Sequence, residues 1–183
     1  FGFEDYYGVH YSNDMLPLHV YRNKDIEIED KTVMADGGRS HTDHEDNIKI
    51  TGLDQSRLTE LYTQEADKFI GKNKNEPFFL YFAHSFPHVP HYASKSHKGK
   101  SAGGLYGDVV EDLDRSVGAV IKSLEKNGLL ENTLVIITSD NGADVNGSAG
   151  NLKGKKQQTY EGGQRVPLIV QWQGHLPENV VTD

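Results

Sequence analysis

The apolar and polar positions of this chain alternate between two periods. From Leu105 to Leu124, the residues Leu105, Tyr106, Val109, Val110, Leu113, Val117, Val120, Ile121 and Leu124 keep one face apolar for about five turns, which predicts a long amphipathic helix. Asn127-Gly128 supplies a left-handed stop for it. Glu111, Asp112, Asp114 and Arg115 fall mostly elsewhere on the wheel and read as a solvated face. A second helix is expected over 55–70 from Leu58, Leu61, Tyr62, Ala66 and Phe69, with Asp54 as N-cap and Gly71 as stop. Three continuous apolar runs, Pro77–Ala83, Leu134–Thr138 and Val166–Trp172, read as strands buried on both faces. Ile26 and Ile28, beyond Asn23-Lys24, suggest a small hairpin with Leu18–Tyr21. The aromatic, glycine-containing stretch Phe1–Ser12 reads as a packed loop, and Tyr92–Gly104 as a mobile surface loop. Together these elements predict an α/β domain with a mainly parallel sheet flanked by helices.

Polar groups gather where two of the apolar runs end. Leu134–Thr138 stops at Ser139, Asp140, Asn141 and Gly142. In open α/β sheets ligands bind at the carboxyl ends of strands. Asp140 and Asn141 offer hard oxygen donors suited to Ca²⁺ or Mg²⁺, although Asn-Gly after a strand is equally a turn signal. Pro77–Ala83 runs into His84, His88 and His91. The cluster His41, Asp43, His44, Glu45 and Asp46 fits no metal-ligand spacing and reads as a solvated loop.

The 183 residues are enough for one domain with a real core, and no internal domain boundary shows in the composition. With 19 Lys+Arg against 27 Asp+Glu, the net charge is −8, which argues against a nucleic-acid partner. There is no cysteine, hence neither a disulfide framework nor a thiol nucleophile. No apolar run has membrane-spanning length. A start at Phe1 within FGFEDYYG suggests the middle of a longer protein.

Five stretches in order resemble the sulfatases of the arylsulfatase type, in the alkaline-phosphatase-like superfamily. Gly8-Val9-His10-Tyr11-Ser12-Asn13-Asp14 resembles their G-I-P-Y-S-N-D segment. Pro77-Phe78-Phe79-Leu80-Tyr81 with Pro87-His88-Val89-Pro90 resembles their strand and P-H-x-P loop, and Asp112–Gly118 the long helix that follows. Thr138-Ser139-Asp140-Asn141-Gly142 resembles T-S-D-N-G, and Lys156–Pro167 resembles K-x-x-x-Y-E-G-G-x-R-x-P.

The resemblance implies hydrolysis of sulfate esters of small molecules or glycans, a formylglycine nucleophile and one divalent cation, usually Ca²⁺ with Mg²⁺ as the alternative. It places Asp140 and Asn141 among the metal ligands, His88 at the leaving-group oxygen, Lys156 on the sulfate and Ser12 near the substrate. These groups are then expected to converge at one sheet edge. It further implies a periplasmic, extracellular or lysosomal location. The family's Cys/Ser-x-Pro-x-Arg motif, paired N-terminal aspartates and G-K-x-H-L-G segment are absent from this sequence. The chain therefore reads as an incomplete sulfatase catalytic domain over 1–183, inactive by itself. The alternatives are a phosphatase or phosphodiesterase of the same superfamily, or a non-catalytic domain binding a divalent cation or sulfated glycan.

Overall fold

The structure, a computed structural model, describes residues 2–31, 53–144 and 146–182. The His41–Asp46 cluster lies outside the described residues. The chain falls into two compact units, Phe1–Val120 and Ile121–Asp183. The division lies inside a helix, where composition cannot flag it.

In the first unit, β1 (Tyr7–Val9), β2 (Val20–Arg22) and β3 (Asp25–Ile28) form an antiparallel sheet in that order. Asn23, at φ 55°, turns β2 into β3, a conformation asparagine tolerates better than most residues. The stretch expected to be a packed loop thus contributes an edge strand. Three residues are too short to show a period. Asp54 caps as expected, its carboxylate accepting from the Ser56 amide at 3.1 Å. A single 3-10 turn, Gln55–Arg57, leads into α1 (Leu58–Asn73). Gly71 does not stop α1 but lies within it, since glycine only weakens a helix interior.

The long amphipathic helix is α2 (Gly104–Lys126). It ends as the sequence implies: Gly128 has φ +70°, with Leu129 N donating to Leu124 O and Gly128 N to Glu125 O. That is the paired C-terminal hydrogen bonding that glycine permits. Leu18, Val20, Leu58, Tyr62, Phe86 and Val109 form the centre of the first unit's core.

The solvated face assigned to α2 needs correction. Asp112 is 1% exposed and Asp108 2%. With Ser116, these residues repeat every four positions along one stripe, which meets the 94–101 loop. Asp108 accepts from the backbone amides of Ser101 (2.7 Å), Gly99 (2.7 Å) and Lys100 (2.9 Å). Asp112 accepts from Ser94 N at 3.0 Å. The loop expected to be mobile is therefore tied to α2, and Tyr92, Ala93 and Ser94 are buried.

In the second unit, β4 (Val135–Thr138) pairs with β5 (Leu168–Gln171), with Thr138 opposite Leu168. The pairing is antiparallel, so the mainly parallel sheet expected from the sequence is not what the described residues form. Pro77–Ala83 is not in a ladder. Its burial alternates, with Phe79 and Tyr81 more than 70% exposed. A strand is defined by its neighbour, and this segment has none among the described residues. Nor are the β4 and β5 runs covered on both faces: Ile136 is 57% and Leu168 64% exposed. A continuous apolar run records what a strand can bury. It does not record how many layers lie over it.

Candidate functional site

Two groups of candidate residues are each brought together within their own unit. In the first unit, Ser12 opens a turn closed by Met15 N to Ser12 O at 2.9 Å. Asn13, 1% exposed, sends its side-chain nitrogen to Pro90 O at 3.1 Å and to Gln55 Oε1 at 3.3 Å. The Ser12 turn is thereby fastened to the loop that carries His88.

His88 is half-buried. Its Nδ1 lies 2.6 Å from Val89 O. A carbonyl can only accept, so Nδ1 carries the proton and Nε2 is left to exchange one. His91 closes the loop from the other side, with Nε2 3.0 Å from Pro87 O. His84, at the end of the Pro77–Ala83 run, does a different job. Its Nε2 faces Ser116 Oγ at 3.3 Å, Ser116 Oγ lies 2.5 Å from Thr63 Oγ1, and the His84 Nδ1 is buried without a hydrogen-bond partner among the described residues. Burial pushes its pKa down to about 4, Asp112 nearby acting against the shift and Arg115 with it. His84 is a neutral core histidine joining α1 to α2.

A serine-histidine-aspartate cluster also occurs in the first unit. Ser94 Oγ, Ser96 Oγ and Asp112 Oδ1 lie 3.1, 3.0 and 3.2 Å from His97 Nδ1. All three meet the same ring nitrogen. A nucleophile relay needs serine and carboxylate on opposite nitrogens, so this cluster is a structural tie.

In the second unit, the polar loop after β4 is folded against the loop before β5. Gly142 N donates to Gly163 O at 2.9 Å, and Lys156 N to Ala143 O at 2.8 Å. Gly162 N donates to Lys153 O at 2.8 Å at the start of the single-turn helix α3 (Glu161–Gln164). The backbones approach so closely that only glycine fits. A Cβ on Gly142 would lie 2.0 Å from Gly162 O, and one on Gly162 2.2 Å from Gly154 O. The run Tyr160-Glu161-Gly162-Gly163 is therefore part of the backbone contact that ties the loop carrying Lys156 to the Gly142-Ala143 end of the loop after β4.

The neighbouring lysines are set apart from Lys156. Lys153 Nζ lies 4.0 Å over the Tyr160 ring, an attraction between an ammonium and a π face, and both Lys153 and Lys155 are exposed. Lys156 is half-buried. Asp140 is exposed, and its carboxylate has no hydrogen-bond or ion-pair partner among the described residues. Its neighbour Asn141 adds a second hard oxygen. No group of three or more metal-ligating His, Cys, Asp or Glu occurs among the described residues.

The sulfatase family model matches residues 2–182. This chain belongs to the sulfatase family. It is 38% identical to N-acetylgalactosamine-6-sulfatase of Rattus norvegicus over 196 residues, which cover 99% of this chain and 35% of that protein. The chain thus spans about a third of that relative's length. Steryl-sulfatase of Rattus norvegicus is 41% identical over 131 residues, covering 66% of this chain and 23% of that protein. Among solved structures, a protein studied for glycosaminoglycan metabolism by Bacteroides thetaiotaomicron superposes with a TM-score of 0.76 at 24% identity, over 93% of this chain and 45% of the other. Ps i-CgsB, solved with k-i-k-neocarrahexaose, gives 0.71 at 25% identity, over 96% and 41%. The sulfatase fold is thus the alkaline-phosphatase-like α/β architecture expected from the sequence. No described helix is long and apolar enough to cross a membrane.

The sequence reading of the site missed Asn13, Asp108 and Asp112. For the two aspartates a signal existed: they share a four-residue spacing with Ser116, and they face a glycine- and serine-rich loop whose amides need acceptors.

Proposed function

We propose that these residues form part of the active site of a sulfuric ester hydrolase whose substrate is a sulfated small molecule or glycan. The reading rests most on the Lys156–Ala143 backbone bond, which ties the loop carrying a cationic residue to the loop that carries Asp140 and Asn141, within a family whose chemistry acts on sulfate. Asp140 and Asn141 fit a hard divalent cation in kind, Ca²⁺ first and Mg²⁺ second. They supply two of the roughly six to eight oxygens that Ca²⁺ takes. Such a cation, when bound, supplies positive charge to the sulfate oxygens. The Lys156 ammonium adds charge complementarity to the same oxygens. His88 Nε2 gives a proton to the departing alkoxide, its Nδ1–H being held by Val89 O. Ser12, joined to that loop through Asn13, contacts the substrate.

The nucleophile, a formylglycine by family resemblance, is supplied by residues other than these 183, which contain no cysteine and no Ser-x-Pro-x-Arg. A phosphatase of the same superfamily is the nearest rival. The test is to compare kcat/KM of the full-length parent protein on a sulfate monoester and on the phosphate monoester of the same alcohol, with Asp140→Ala alongside. Preference for sulfate, abolished in Asp140→Ala, is the expected result. Preference for phosphate assigns the rival activity.

A further inference from the structure

We propose that Asn13 is a positioning residue for His88, acting through the Pro90 carbonyl. The functional half of this inference rests on the reading of His88 given above. The structural half stands on geometry alone. The loop from Pro87 to His91 contains two prolines, which contribute no backbone N–H, so side chains do much of the holding. Three of its carbonyls are each engaged by a side chain. His91 Nε2 takes Pro87 O at 3.0 Å, His88 Nδ1 takes Val89 O at 2.6 Å, and Asn13 Nδ2 takes Pro90 O at 3.1 Å. The first two lie within the loop. Asn13 alone of the three reaches it from a distant part of the chain. By fixing the peptide plane after Pro90 it restrains the adjoining plane, whose Val89 oxygen sets the tautomer and direction of the His88 ring.

The orientation of the Asn13 amide is decided by its partners. Gln55 Oε1 and Pro90 O are both acceptors, so the two hydrogens of Nδ2 must face them and the amide cannot be turned over. The other end, Oδ1, is buried without a hydrogen-bond partner among the described residues. Gln55 Nε2 returns a bond to the Asn13 backbone oxygen at 3.1 Å. That bond does not involve the Asn13 side chain, so replacing the side chain removes the hold on Pro90 while leaving this anchor of the Ser12 turn.

The test uses the 183-residue chain with ¹⁵N-labelled histidine, following the His88 ring nitrogens by NMR from pH 5 to 9. Wild type is expected to show the Nδ1-protonated tautomer at high pH. In Asn13→Ala the two ring nitrogens should move towards the averaged shifts of a freely exchanging imidazole. Asn13→Asp should go further, because its carboxylate oxygens would face two acceptors. His84, held against Ser116 within the first unit, should be unchanged and reports that the unit carrying Asn13 is folded. A through-hydrogen-bond coupling between Asn13 Nδ2 and the Pro90 carbonyl carbon, measured in wild type, decides the matter if the variants do not fold. Folded variants with wild-type His88 signals, or no such coupling in wild type, overturn the proposal. If the His88 tautomer changes as expected but His88→Ala leaves turnover of the full-length protein intact, the positioning stands and the proton-donor reading fails.

Discussion

Replacing Gly162 by alanine tests whether the second unit is built on glycine-only backbone contact. The added Cβ would sit 2.2 Å from Gly154 O and 2.8 Å from Lys153 O, against 3.4–4 Å for ordinary contact. The strands of the loop must separate by about 1 Å, and both close neighbours are backbone, which cannot rotate away. Overpacking of this kind costs about 1–3 kcal/mol. The Gly162–Lys153 hydrogen bond is put at risk, at about 1 kcal/mol. Alanine returns up to about 1 kcal/mol through helix propensity in α3. The net loss is roughly 1–3 kcal/mol, a fall of roughly 1–3 M in the urea midpoint if m is about 1 kcal/mol/M for so small a unit. Trp172 is the single tryptophan and its Nε1 donates to Glu131 O within the second unit, so its fluorescence reports that unit. Gly71→Ala is the control: it lies in α1 with nothing within 4 Å of the added Cβ, and should stabilise α1 by about 0.5–1 kcal/mol. A Gly162→Ala chain with the wild-type Trp172 midpoint would refute the packing argument.

Three further outcomes follow from the same structure. The pKa of His84 is lowered to about 4 when folded, so between there and its ordinary value near 6.5 the unfolded chain binds the extra proton; stability is present above that window and is lost as pH falls through it, by roughly 3 kcal/mol at most. Thermal melts from pH 7 to 4 should show this loss, and His84→Phe should flatten it. Asp108 is held below the ordinary carboxylate range by the amides of Ser101, Gly99 and Lys100, so its contribution is present above the unfolded pKa and lost as pH falls through the lower folded one; Asp108→Asn should speed amide exchange at those three residues at pH 7. The purified 183-residue chain should not turn over a chromogenic aryl sulfate with excess Ca²⁺, and calorimetry should show weak or no Ca²⁺ binding, because two side-chain oxygens make a poor shell; sustained turnover lost in His88→Ala would contradict this.

Elements that carry their own period or stop were legible in the sequence. The α2 face, its Asn127-Gly128 ending, the hairpin at Asn23 and the Asp54 cap needed only local rules, and the structure reproduces them. What depends on a distant partner was not legible. The Pro77–Ala83 run has strand composition but no ladder, and β4 has the composition of a doubly covered strand with Ile136 open to solvent. The antiparallel direction of β5 against β4 cannot be read from the apolar residues of either strand. Around the candidate residues, the structure shows supports that the motifs did not reveal. Gly142 reads as part of a turn signal, and it proves, with Gly162 and Gly163, to sit where an added Cβ would strike backbone. Asp112, assigned to solvent by its charge, is buried because Ser94, His97 and Arg115 meet it. Asn13 looked like one more residue of a polar turn, since nothing in a local window points to Pro90.

The proposed role of His88 as proton donor to a sulfate ester's leaving group is tested most directly by a leaving-group series. The full-length protein and its His88→Ala variant would be assayed on aryl and alkyl sulfates whose alcohols span a wide range of acidity. An alcohol that leaves readily as an anion does not need a proton, whereas a poor leaving group does. The variant should therefore lose little on the most acidic phenol and about 100-fold or more on an alkyl sulfate, in line with the usual contribution of a positioned acid. Equal losses across the series would contradict the account, leaving His88 as a binding or structural residue of the sulfatase.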